Sequence, residues 1–138
     1  MIKYNYSVIF AESIIIGFYS LFISLVIINI FKSQNILLCT FIIGFIKHFI
    51  GGISGLHKIY CSQYLNVKCN KYHINIKNLV LESILEGILF VILRIILTKL
   101  KSNEYTKFFM IGLLLHIIFE IMGIHKIFCK KICIKQKI

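Results

Sequence analysis

The sequence predicts an all-α integral membrane protein, a four-helix bundle assembled from two tandem two-helix repeats. Three observations carry that prediction. First, 59% of the 138 residues are apolar and only 15% are charged, against about 25% charged in ordinary soluble domains. A chain this short has too much surface for its core to hide so much Ile, Leu and Phe from water, so the excess faces lipid. Second, the apolar residues fall into four runs, each near the roughly 20 residues a helix needs to cross the hydrocarbon core. Third, rare residues recur at a fixed offset along the chain.

The predicted spans are about residues 8–31, 36–56, 78–98 and 106–127. Backbone groups in lipid must be paired within their own segment, so these stretches form helices despite their β-branched Ile and Val. The first run is about twice as long as the apolar region of a signal peptide and has no small-residue cleavage site, so it is expected to remain as a span. The connections around Lys32–Asn35 and Lys99–Tyr105 are short, which predicts two antiparallel hairpins. Both tails and the longer middle connection then share one side.

Fourteen of the sixteen bases lie outside the cores of the apolar runs, Lys47 and Arg94 being the exceptions. Ten lysines fall on the side of the tails. Four, Lys32, Lys99, Lys101 and Lys107, fall on the other, which predicts cytoplasmic termini by the positive-inside rule. The sequon Asn5-Tyr6-Ser7 would then never meet the glycosylation machinery. A net charge of +11 concentrated on loops and tails suits an anionic lipid surface, where each Lys or Arg contributes about 1 kcal/mol. No soluble segment is present to read a nucleic-acid groove, so nucleic acid is not an expected partner. Tyr4, Tyr6, Tyr60 and Tyr64 fall where headgroup anchors would lie.

The repeat is expected to span residues 8–61 and 78–133. At an offset of 70, Glu12-Ser13-Ile14 falls on Glu82-Ser83-Ile84 and Gly17 on Gly87. At an offset of 68, Phe41-Ile42-Ile43-Gly44 falls on Phe109-Met110-Ile111-Gly112. His48 then meets His116, Gly55 meets Gly123, and His57-Lys58-Ile59-Tyr60-Cys61 meets His125-Lys126-Ile127-Phe128-Cys129. The offset changes in the short connections, where length varies freely.

Ionisable residues inside spans are costly and turn toward the bundle interior. The candidate buried polar cluster is Glu12, His48, Glu82, Glu86, His116 and Glu120. Gly44, His48, Gly51 and Gly55 form one helical stripe, repeated by Gly112, His116, Glu120 and Gly123. The glycines are expected to admit close backbone approach between helices. A rise of 1.5 Å per residue puts both histidines near mid-membrane, with Glu12, Glu82 and Glu86 closer to the face carrying the tails. The expected contacts lie within each hairpin, Glu12 with His48 and Glu82 or Glu86 with His116. Lys47 is expected to snorkel or to pair with a Glu, Arg94 to snorkel, and Cys39 to pack toward lipid.

At the rim, His57-x3-Cys61 and His125-x3-Cys129 offer two ligands each at a spacing that shares a helical face, a zinc option formed by His57, Cys61, His125 and Cys129. Free or structural cysteine is the expectation, with a Cys61–Cys69 or a Cys129–Cys133 disulfide as rival. No cofactor is expected. The pattern would admit heme b, through His48 and His116 at one depth, as well as zinc. His48 and His57, nine residues apart on one continuous helix, would face opposite ways, which argues against a second stacked heme.

The double signature Glu-Ser…Gly…His…Gly-[Leu/Ile]-His-Lys-x-x-Cys, covering Glu12–Cys133, resembles small uncharacterised membrane proteins of large DNA viruses. That resemblance implies a virion or host-cell membrane and supplies no activity.

Three readings stand at this point. The first is a structural or assembly membrane protein with buried Glu–His contacts, able to form homo-oligomers. The second is a small proton- or ion-coupled transporter or channel. The third is a heme- or metal-binding membrane protein. No motif names a reaction, and the reading leans away from an enzyme.

Overall fold

A computed structural model describes residues 6–32, 35–65, 71–72 and 74–134. The chain is almost entirely helical. Its elements are α1 (Tyr6–Phe31), α2 (Ile36–Ile53), α3 (Leu56–Leu65), β1 (Lys71–Tyr72), α4 (Ile76–Ile96), α5 (Glu104–Ile121), α6 (Ile124–Ile132) and β2 (Cys133–Ile134). A single 3-10 turn over Leu97–Lys99 ends α4. The two-residue strands pair antiparallel, Lys71 opposite Ile134 and Tyr72 opposite Cys133, and tie the middle connection to the end of α6.

Three helix starts are set by asparagine. Asn35 accepts from the amides of Leu37 and Leu38 at 3.1 Å, Asn75 from Lys77 at 3.1 Å, and Asn103 from Thr106 at 2.7 Å. Each satisfies N–H groups that a helix start leaves without a carbonyl partner. Inside the helices the small hydroxyl residues bond back one turn. Ser13 donates to the Ile9 carbonyl, Ser20 to Ile16, Thr40 to Ile36 and Ser83 to Leu79, at 2.7–2.9 Å. Their polar atoms are thus satisfied locally, and their small side chains let another helix approach.

α2 packs chiefly against α4, and α1 against α5, with smaller α1–α2 and α4–α5 contacts. Ile43, Phe90, Phe108 and Ile111 are fully buried where these helices meet. Large apolar residues point the other way, among them Phe10, Ile15, Phe18 and Phe22 of α1 and Leu81, Leu85 and Ile92 of α4. An apolar outer surface of this extent is uncommon on a soluble monomer.

α1 and α2 are each long and apolar enough to cross a membrane, and α5 with α6 makes a third such unit if the pair, bent by 80°, counts as one span. α4 has the length, 21 residues. It misses on charge, because any crossing-length stretch of it includes Glu82 and Glu86 together with Lys77 or Arg94.

The second and fourth predicted spans run too far. Rather than continuing to residues 56 and 127, α2 ends at Ile53 and α5 at Ile121. Gly55 (φ 79°) and Gly123 (φ 69°) take left-handed backbone immediately afterwards, the conformation in which glycine closes a helix C-terminus. Neither has an atom within 4 Å of where a Cβ would stand, so these two glycines turn the chain and pack against nothing. Gly44 and Gly112 lie close against neighbouring helices. A Cβ on Gly44 would lie 2.8 Å from the Phe90 ring and 3.0 Å from the Gly87 Cα, and one on Gly112 would lie 2.6 Å from the Ser20 Cβ and 3.1 Å from the Ile16 carbonyl. Gly51 makes room for the His57 ring, whose Nε2 would lie 2.8 Å from its Cβ, and not for a neighbouring backbone.

Candidate functional site

The turns at Gly55 and Gly123 fold the short helices α3 and α6 back beneath the longer ones, and this builds the polar site. His57 comes to rest beside His48, ring centroids 4.7 Å apart, and His125 beside His116 at the same separation. The expectation that His48 and His57 face opposite ways fails because it assumes one unbroken helix. The Tyr60 ring of α3 packs on His116 and His125, at 5.8 and 5.2 Å. The Phe128 ring of α6 packs on His48 and His57, at 5.9 and 5.2 Å. Each short helix therefore covers the imidazoles of the other half of the chain.

The acids cross over in the same way. His48 lies 2.5 Å from Glu86 through Nδ1 and 3.7 Å from Glu82 through Nε2, while His116 Nε2 lies 3.9 Å from Glu12 and 4.0 Å from Glu120. The expected pairings of Glu12 with His48 and of Glu82 or Glu86 with His116 are thus exchanged. The cause is the packing of α2 on α4 and of α1 on α5, which puts Glu82 and Glu86 against His48 and Glu12 against His116, while Glu120 contacts His116 and His125 of its own half.

Around these pairs the two halves differ. In one, the Lys47 ammonium donates to Glu86, both side chains being buried. Lys47 also lies over the Phe90 ring at 5.3 Å. In the other, Glu120, 1% exposed, accepts from the Tyr60 hydroxyl and lies 2.7 Å from His125 Nδ1. Tyr60 is therefore a member of this network and no headgroup anchor. Lys131 of α6 reaches Glu82 at 3.5 Å. Burial, with the His48 ring beside it, pushes the His57 imidazole down to about 3, so that ring stays neutral at physiological pH.

Arg94 does not snorkel. It is 5% exposed, pairs with Glu104, and lies over the Phe108 ring at 5.5 Å. Lys107, 3.3 Å from Glu104, completes a second ionic cluster at the far end. Cys39 is 2% exposed and points inward, correcting its lipid-facing assignment.

Cys61 and Cys129 form a disulfide joining α3 to α6. This replaces the expectation of free thiols, and both proposed pairings, Cys61–Cys69 and Cys129–Cys133. It also removes the rim zinc option of His57, Cys61, His125 and Cys129, since a cystine sulfur offers no thiolate. Tyr4, Asn5, Cys69 and His73 lie outside the described residues, as do the side chains of Tyr64 and Cys133. The heme option through His48 and His116 meets filled space, since each ring is packed against a second histidine and an aromatic of the covering helix.

The described residues thus hold a buried network of ion pairs and Glu–His contacts, in which His116, Glu120 and His125 bring one ligand atom each within 4.8 Å of one another. Comparison with family models, curated proteins and solved structures returns no match.

Proposed function

We propose that the chain is a multi-pass membrane protein of structural or assembly type, four spans in two tandem hairpins, whose buried acids and imidazoles lock one hairpin to the other. The observation that carries this reading is the crossing of the polar pairs. Glu82 and Glu86 meet His48, and Glu12 meets His116, so each contact joins residues from different hairpins. Interhelical polar contacts of this kind contribute only about 0.6–2 kcal/mol each, but they fix register and partner choice in lipid.

The tandem reading draws support from equivalent geometry at offset positions. A Cβ on Gly17 would meet the Phe109 ring and carbonyl, and one on Gly87 would meet the Phe41 ring and carbonyl, all within about 3 Å. The helix-starting Asn35 and Asn103, the turning Gly55 and Gly123, and the joined Cys61 and Cys129 are each separated by 68. In this arrangement α4 and α5 cross the bilayer because their charges are paired inward.

The excess of lysines on the side of the tails supports cytoplasmic termini. The disulfide then requires a thiol-oxidising system acting on that face, since cytosolic thiols are ordinarily kept reduced. Basic loops bind anionic headgroups, and the bilayer is a virion or host-cell membrane.

Two measurements on the full chain in liposomes test the proposal. An impermeant maleimide is expected to label a single cysteine at Lys32 or Lys101 from one face and one at Lys126 from the opposite face. The double substitution His48→Ala with His116→Ala is expected to lower the unfolding midpoint while proton flux stays at the protein-free level in both forms. Flux in the parent protein that disappears in the variant would replace this reading with a transporter.

A further inference from the structure

The two halves of the polar network differ in one respect that points to a ligand. Each half has a histidine from a long helix, a second histidine stacked on it, and an acid at the matching position, Glu82 for His48 and Glu12 for His116. Each also has one acid with no counterpart, Glu86 or Glu120. In the Glu86 half a fixed cation, the Lys47 ammonium, sits on the carboxylate. The residue matching Lys47 in the other half is Leu115. Glu120 accordingly has no Lys or Arg within 4.0 Å among the described residues, only the two imidazoles and the Tyr60 hydroxyl. Two atoms there are buried without a hydrogen-bond partner among the described residues: His116 Nε2, on a residue 5% exposed, and Glu120 Oε2, on a residue 1% exposed; the matching His48 Nε2 is likewise unpartnered, so the bare carboxylate oxygen is what sets this half apart. Burying a carboxylate oxygen and a ring nitrogen without partners is costly, and a cation bound at this cluster lowers that cost.

We propose that His116, Glu120 and His125, with Glu12 as fourth ligand, bind one divalent transition-metal ion with zinc's preference for imidazole and carboxylate. The separations among the candidate atoms suit it. His125 Nδ1 is 2.7 Å and His116 Nε2 4.0 Å from Glu120 Oε1, Glu12 Oε2 is 3.9 Å from His116 Nε2, and the first three ligands lie within 4.8 Å of one another. Tetrahedral zinc with bonds of about 2.0–2.2 Å places its ligands about 3.3 Å apart, so changes of about 0.6–0.7 Å in these three separations bring them to that value. The set has two neutral imidazoles and two carboxylates, which balance the charge of the ion. It contains no sulfur, so the Cys61–Cys129 disulfide does not interfere, and Tyr60 holds Glu120 in place from outside.

The site needs only this cluster, so the structural proposal and the metal proposal fail separately. The first is read from unfolding and flux of chelator-treated protein, the second from metal binding. Protein in mild detergent, stripped with chelator and dialysed, is titrated with Zn2+ and, separately, with Co2+. One equivalent of each per chain is expected, the cobalt form showing the visible absorption of a tetrahedral N/O site. Glu120→Gln is expected to weaken Zn2+ binding by at least about 100-fold, beyond what outer-shell partners typically contribute. Cys61→Ser with Cys129→Ser leaves affinity within about threefold, because no cysteine is a ligand. Should Glu120→Gln fail to fold, the partly exposed Glu12→Gln, with an expected loss of about tenfold, carries the test. Sub-stoichiometric binding, binding unaffected by the folded Glu variant, or binding abolished by the serine pair would overturn the proposal.

Discussion

Replacing Glu86 by leucine is expected to destabilise the protein by about 3–5 kcal/mol, the range observed when one member of a buried ion pair is removed. The cause is Lys47. Its ammonium is held by Glu86 with both side chains about nine-tenths buried, and nothing else within ion-pair distance among the described residues is available to it. His48 loses its 2.5 Å partner in the same stroke and keeps only Glu82 at 3.7 Å. Deleting both charges together, Glu86→Leu with Lys47→Met, is expected to recover most of the loss, because a buried pair replaced by apolar groups of similar size is often neutral or better. Unfolding midpoints in a denaturing-detergent titration distinguish the two variants.

Gly112→Leu is expected to cost about 3 kcal/mol, at the upper end of overpacking in a close-packed interior. Its new Cβ would stand 2.6 Å from the Ser20 Cβ and 3.1 Å from a backbone oxygen of α1, and backbone does not move aside without separating the helices. Pairing it with Ser20→Gly relieves the side-chain part alone. Gly123→Ala is expected to cost only about 1–2 kcal/mol, all of it from the left-handed backbone conformation at φ 69°, since space there is open. The same stripe of the sequence thus holds glycines of two kinds, separated by thermal unfolding of the two variants.

That contrast marks where sequence reasoning succeeds and where it stops. Helix content follows from hydropathy, and the burial of Glu86, His116 and Glu120 from their place inside apolar runs. Periodicity alone reads Gly44, Gly51 and Gly55 as one stripe, because a glycine required for φ > 0 and a glycine required for close approach leave the same letter. A signal was available in the residues just after each turn: Gly55 and Gly123 are each followed by a [Leu/Ile]-His-Lys sequence whose polar residues break the apolar run before it. Asn35 and Asn103, matching helix starts 68 residues apart, were equally legible as caps.

The partner of each acid was not legible. Spacing gives a residue's depth and face, but two hairpins of equal length can pair α1 with α2 or with α5, and only side-chain fit at Gly17, Gly44, Gly87 and Gly112 decides. The disulfide was half legible. Cys61 and Cys129 each stand six residues after a glycine in matching Gly-[Leu/Ile]-His-Lys-Ile sequences at an offset of 68, whereas Cys39 has no cysteine at that offset.

A double-mutant cycle between acids and histidines addresses the crossed arrangement most directly. The Glu86→Gln and His48→Ala changes should be coupled by about 1–2 kcal/mol, and the Glu86→Gln and His116→Ala changes by less than about 0.5 kcal/mol. Coupling that instead appears between Glu86 and His116, with Glu86 and His48 additive, would contradict the account, because the acids would then serve their own hairpin.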